Sequence, residues 1–318
     1  MKYSIVTPNY NGFSLMNRFF QSLEDQIYKD FEVIVIDDCS TDNSYEELLD
    51  YSQRSPLEIK VFRTDKNSGP GNARNIGMEK ARGEWITFLD NDDWVEKSFL
   101  SDIDEVICNH QVNCVVYDYY IKSDDKETVG HSMYKGEEGM VSISECVKYV
   151  RNHSIGKVYR RDICNHIRYP LTRRCEDVAF VARAVEACGS VYYLKKPLYY
   201  YYQRPASLSN NKKMDASDMI KAFTIIEDNL ASKYPNEIAE KSVTDLLYGA
   251  VLMMCKAKKS NKEIREYIEW YNNKYPKWYD SEIIHQLGKT KRLFLQFVKF
   301  KNVLLLKGMA FIHSIIVG

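Results

Sequence analysis

The sequence predicts an α/β protein with a mostly parallel central sheet flanked by helices and a helical C-terminal extension. Three observations predict it. Short β-branched runs alternate with amphipathic helical periods from residue 1 to about 120. Acidic and amide residues gather directly after those runs, where the strands would end. Beyond about residue 213 only helical periods remain.

The strands are expected at 2–7, 32–37, 58–63, 84–89 and 113–120, with helices near 12–26, 43–54, 70–82 and 95–110. In the first helix Phe13, Met16, Phe20 and Leu23 recur at spacings of three and four, a buried stripe. Pro70 suits the first turn of the third helix. From 121 to about 205 the pattern is less regular. It holds a charged loop at 122–128, a helix starting near Cys175-Glu176-Asp177, and a Tyr-rich strand at 191–202. Further helices are expected at 214–233, 236–258 and 260–274.

Lys+Arg and Asp+Glu are both 44 in 318 residues, and this zero balance argues against a protein built to bind a nucleic-acid backbone. The eight cysteines are scattered without a Cys-x-x-Cys pair, so zinc and a dense disulfide framework are not expected. They read as small buried hydrophobes in a reducing compartment. The apolar part of the N-terminus is too short for a signal peptide, and the chain is expected to be cytoplasmic.

In a parallel sheet, ligands gather at the carboxyl ends of the strands, and three polar clusters fall there. Strand one ends in Thr7-Pro-Asn-Tyr-Asn11, strand two in Asp37-Asp38-Cys39-Ser40, and strand four in Asp90-Asn-Asp-Asp93. On extended backbone Asp90 and Asp92 point to one side; they are either solvated loop residues, since Asp-Asn-Asp is also ordinary turn chemistry, or two hard oxygen donors with open positions that suit Mg²⁺ or Mn²⁺ also holding phosphates. Asn91 is expected to contribute only backbone. A nicotinamide site needs Gly-x-Gly-x-x-Gly after strand one, and Thr7 to Gly12 holds a single glycine. No phosphate loop of the Gly-x-x-x-x-Gly-Lys type is present either. Arg74 and Asn75, one turn into the third helix, could face a nucleotide or form a salt bridge. Lys157, Arg160 and Arg161 read by default as a solvated basic face, or else as contacts to an anionic acceptor.

The tail from 288 carries Lys289, Lys291, Arg292, Lys299, Lys301 and Lys307, with no acid after Glu282. Taken as one helix, Arg292, Gln296, Lys299, Lys307 and Ser314 share an arc, while Leu293, Leu295, Phe297, Leu304 and Phe311 lie elsewhere. No apolar run is long enough to span a bilayer. Such a basic amphipathic helix either lies on an anionic membrane surface or packs on protein.

The ordered set Thr7-Pro-Asn-Tyr-Asn11, Val35-Ile-Asp-Asp-Cys-Ser-Thr-Asp42, Asn67-Ser-Gly-Pro-Gly-Asn-Ala-Arg-Asn75 and Phe88-Leu-Asp-Asn-Asp-Asp93 resembles glycosyltransferase family 2. The resemblance continues through Gly156 to Arg161, Glu176-Asp177 and Tyr201 to Ser209. It implies a GT-A (Rossmann-like) fold over residues 1–210, divided into a nucleotide-sugar half (1–120) and an acceptor half (121–210). A helical extension (211–287) and the basic tail (288–318) would follow. It also implies an inverting transferase, of the kind found in bacterial surface-polysaccharide synthesis, that uses a nucleotide sugar, a UDP-sugar first among them. The acceptor would be a hydroxyl of a glycan or lipid-linked glycan, with Mn²⁺ or Mg²⁺ as cofactor. Apart from the resemblance, the basic tail fits work at the inner face of the cell membrane, and homo-oligomerisation is left open.

Carried over residue by residue, Thr7 and Asp38 would meet uracil and ribose, with Asn9, Asp37, Asn67 and Arg74 beside them. Asp90 and Asp92 would hold the metal, and Asp93 would support them. Asp177 would be the general base, with Glu176 and Lys157 behind it or near the acceptor. Arg204 and Ser207 would close over the diphosphate. One departure is that Cys39 stands where the family usually has glycine. The competing reading is a nucleotide-binding assembly partner without turnover, and a module of that kind has no need of a base.

Overall fold

Val33, Ile34, Val35 and Ile36 are all fully buried, as a run without alternation requires of a strand covered on both faces. The computed structural model describes residues 1–172, 174–203 and 216–316. The described chain falls into two compact units, Met1–Cys146 with Arg151–Gln203, and Val147–Val150 with the described part of Arg204–Gly318.

The first unit holds strands β1 (Tyr3–Asn9), β2 (Phe31–Asp37), β3 (Ile59–Arg63), β4 (Trp85–Phe88), β5 (Trp94–Val95), β6 (Cys114–Lys122), β7 (Glu127–Gly130), β8 (Gly139–Val141), β9 (Lys157–Arg160) and β10 (Val191–Tyr202). Its helices are α1 (Asn17–Glu24), α2 (Ser44–Arg54), α3 (Pro70–Lys80), α4 (Phe99–Asn109), the start of α5 (Ile143–Tyr149), α6 (Arg161–Cys164) and α7 (Glu176–Cys188). The sheet runs β3-β2-β1-β4-β9-β6-β10-β5, with β7 on β6 and β8 on β10.

Strands β1 to β4 pair in parallel, as expected, and so do β6 and β10. The remaining pairings are antiparallel. Parallel order therefore holds in the first half, and the second half is mixed. The cause is β9, which inserts antiparallel between β4 and β6. It is four residues long and follows Gly156 at φ +78°, too short to announce itself by period.

Helix α3 lies close on β1 because of a glycine. A Cβ at Gly77 would sit 2.2 Å from Val6 Cγ1. That contact seats the N-terminal turn of α3 at the carboxyl edge of the sheet.

In the second unit, α8 (Ala216–Leu230), α9 (Pro235–Ser242), a π-helical stretch (Val243–Ala250), α10 (Val251–Lys256), α11 (Asn261–Lys274), α12 (Ile283–Gln286), α13 (Lys289–Lys299) and α14 (Val303–Ile316) follow one another. Ser260 and Glu263 cap α11 reciprocally, each side chain bonded to the other's backbone N–H. The expected single tail helix is two helices. Lys301 adopts φ +50° between them, a break that no glycine or proline marks.

Candidate active site

The three polar clusters converge at the carboxyl edge of the first unit's parallel strands. The Thr7 hydroxyl donates to the Leu89 carbonyl at 3.0 Å, joining the ends of β1 and β4. Asn9 donates to Asp37 Oδ1 at 3.0 Å and accepts from Asn91 Nδ2 at 2.8 Å. Asn91 thus does more than supply backbone, because its amide fastens the acidic loop to β1.

Asp37 is fully buried; it accepts from the Ser40 N–H at 3.0 Å and pairs with Arg63 at 3.6 Å. Asp38 Oδ1 accepts from the Thr64 hydroxyl and the Ser68 N–H, and its Oδ2 from the Ser68 and Gly69 N–H groups, at 2.6–3.1 Å. Its carboxylate therefore shapes the loop that enters α3, and Asn67 stands exposed on that loop. Between them Cys39 sits at φ +62°, a left-handed conformation that accounts for glycine in the family pattern.

Arg74 is buried and bridges two acids. One guanidinium nitrogen is 2.8 Å from Asp90 Oδ1 and the other is 3.0 Å from Glu176 Oε1. Its Nε is buried with no hydrogen-bond partner, and its Cζ lies 5.6 Å from the Tyr169 ring centre. Asn75 fixes that ring's segment by exchanging hydrogen bonds with the Tyr169 backbone at 2.9 and 3.0 Å. Gly71 is required for the approach of α7, since a Cβ there would meet Glu176 Cγ at 2.8 Å.

Glu176 and Asp177 open α7 directly after Cys175, at φ +58°. Only Glu176 turns to Arg74, as two neighbours on a helix about 100° apart must divide. Asp177 Oδ1 accepts from the Val178 N–H at 2.9 Å. Burial, and next the Glu176 charge, push its carboxyl up to about 7, while Arg74 opposes the shift.

Asp90 has about a third of its side chain exposed, and Asp92 is half-buried in the same loop. Asp93 is buried, accepting from the Tyr199 hydroxyl and, at 2.7 Å, from the Tyr202 N–H. Burial, with the charges of Asp92 and Asp90 added, holds its carboxyl well above the ordinary range. Sequence reasoning missed these two β10 tyrosines, and the signal available was a Tyr-rich strand placed to reach the loop. Among the described residues no group of three or more His, Cys, Asp or Glu could by itself hold a metal. Asp90 and Asp92, both partly open to solvent, are hard oxygen donors that leave positions open, which fits a cation completed by a bound diphosphate.

Lys157 is fully buried instead of solvated, its ammonium on the carbonyls of His153 and Ile155 at 2.7 and 3.1 Å. The reason is the central place of β9, covered by strands on both sides. Arg204 and Ser207 lie outside the described residues. Arg74, Asp90 and Glu176, which were read separately, are joined directly by the structure, as are Asn9 and Asp37.

A family model described as glycosyl transferase family 2 matches residues 4–168. The chain is 31% identical over 207 residues to the poly(ribitol-phosphate) β-N-acetylglucosaminyltransferase TarS of Staphylococcus aureus, covering 63% of this chain and 35% of that protein. It thus spans about a third of that relative's length. In structure it is similar to S. aureus TarS 1-349 solved with UDP-GlcNAc, at TM-score 0.72 and 23% identity over 98% of this chain and 90% of that one. It is also similar to the mannosyltransferase PcManGT of Pyrobaculum calidifontis solved with GDP-Man and Mn²⁺, at TM-score 0.60 and 12% identity over 99% and 87%. These structural likenesses establish a shared fold.

Proposed function

The chain belongs to glycosyltransferase family 2, and from that membership we propose an inverting, metal-dependent transfer of a sugar from a UDP-sugar to a hydroxyl of a glycan or lipid-linked glycan in surface-polysaccharide synthesis. One observation above all supports this reading. Arg74 ties the Asp90 loop to the N-terminus of α7, so the candidate metal-holding acids and the candidate base belong to one assembly.

In the proposed reaction Asp177 takes the proton of the acceptor hydroxyl while that oxygen attacks the anomeric carbon. The bond from that carbon to the diphosphate breaks, and the nucleoside diphosphate leaves with the electron pair. A carboxyl raised to about 7 is well matched to this work, because a base near the operating pH is both ionised and proton-seeking. Burial first, and then the charge of Glu176, keep Asp177 raised, and Glu176 is itself held by Arg74. Asp90 and Asp92 would hold Mn²⁺ or Mg²⁺, which supplies charge neutralisation at the departing diphosphate. Thr7, Asn9, Asp37 and Asp38 set the shape of the nucleoside pocket, with Asn67 on its rim. Asp93 supports the metal-holding loop from below. The UDP-GlcNAc bound to TarS and the Mn²⁺ in PcManGT support the donor and cation classes.

Release of UDP across a panel of UDP-sugars, with Mn²⁺ and with EDTA, tests the proposal. Metal-dependent release from at least one donor is expected. UDP binding without turnover of any donor, over a range of glycan acceptors, would return the chain to a binding module.

A further inference from the structure

We propose that α13 and α14 dock the protein on an anionic bilayer surface, with the outer strip of α14 in the headgroup–acyl boundary and the outer face of α13 against the headgroups. Helix α14 buries Val303, Leu306 and Ala310 within its own unit. The arc left over is Leu304, Leu305, Gly308, Phe311 and Ile312, which holds no charge. Its large side chains are 74, 46, 69 and 55% exposed in that order. Helix α13 likewise buries Phe294, Leu295 and Val298, and turns Lys289, Arg292, Gln296 and Lys299 outward together with Leu293. At the turn between the helices Phe300 is 76% exposed.

Six of the fifteen exposed large hydrophobics of the described chain therefore fall between 293 and 312, which is clustering and not the ordinary scatter of a soluble surface. Charge identifies the occupant. Six cations and no acid lie between 289 and 313. Lys301 pairs with Glu269 at 2.9 Å and Lys307 donates to Asn261 at 2.7 Å, pinning the helices to their unit. An apolar strip beside the outward cations of α13, Lys289, Arg292 and Lys299, complements anionic lipid headgroups over acyl chains. A second copy presenting the same face would oppose like charges. No described helix is long and apolar enough to cross a membrane, so the helices lie in the interface.

Co-sedimentation of the full chain with vesicles tests this without any donor or acceptor, so its outcome is independent of the proposed reaction. Binding is expected to vesicles of equal parts phosphatidylcholine and phosphatidylglycerol, weakened by salt, and to be weaker on pure phosphatidylcholine. The triple variant Phe300→Gln, Leu304→Gln, Phe311→Gln alters only exposed side chains. It should lose at least about tenfold in partition with an unchanged thermal melt. Lys289→Gln with Arg292→Gln should weaken binding to the mixed vesicles alone. Wild-type protein left in the supernatant with mixed vesicles, or undiminished binding of the triple variant, overturns the proposal. So does a dimer in sedimentation that the triple variant dissociates while vesicles stay unbound.

Discussion

Arg74 and Glu176 stand 102 residues apart in the chain and 3.0 Å apart in space, with Asp90 completing the bridge at 2.8 Å. The guanidinium and the Glu176 carboxylate are both nearly buried, whereas Asp90 keeps about a third of its side chain in water. Loss of Arg74 therefore strands Glu176 far more than Asp90.

Arg74→Gln is expected to cost roughly 3 kcal/mol in urea denaturation, the penalty of an uncompensated buried charge. Adding Glu176→Gln should return part of that loss, because the stranded charge is removed with its partner. A double-mutant cycle reads the coupling directly. Additive losses would mean that the bridge carries no energy of its own.

The raised carboxyl of Asp177 predicts the pH dependence of transfer. kcat/KM should rise with unit slope and level off near pH 7, where the base is ionised. Glu176→Gln removes a charge that raises Asp177, so the acidic limb should move to lower pH. Stability runs the other way. Between about pH 4 and 7 the folded protein keeps a proton that the unfolded chain has lost, so ionised Asp177 costs stability above about pH 7. Asp177→Asn should melt higher than wild type near pH 8, and the gap should narrow as the pH falls toward the ordinary carboxylate value.

Cys39 holds φ +62° without the freedom of glycine. Its thiol makes only a 3.8 Å contact with the Asp65 carbonyl, so little is lost with it. Cys39→Gly should stabilise the protein by about 0.5–1 kcal/mol, whereas Cys39→Val should destabilise it by at least about 1 kcal/mol. Chemical denaturation of the three forms decides this.

The first half of the fold was legible because its evidence is local. Runs such as Val33 to Ile36 can only be buried strands, and Pro70 marks the start of α3 where it is found. What escaped depends on distance or brevity. Arg74 offered a nucleotide contact or a salt bridge on equal terms until α7 was placed beside it. The bonds from Asp38 to the backbone at 68–69, 30 and 31 residues away, have no local signal either. Lys157 read as solvated because four residues of β9 carry no period that reveals a central strand. The tail helix broke at Lys301, whose left-handed turn has no residue-type signal. One of its two readings, packing on protein, holds for the buried face of both helices, and the other, an anionic membrane surface, is proposed for the outward face.

Asp177 as the base is the centre of the proposed mechanism, and Asp177→Asn tests it most directly. Sugar transfer from the preferred UDP-sugar and UDP affinity are measured in parallel. Transfer is expected to fall by roughly 10²–10⁴-fold with UDP affinity unchanged. Transfer at the wild-type rate in Asp177→Asn would contradict the account and pass the role to another group.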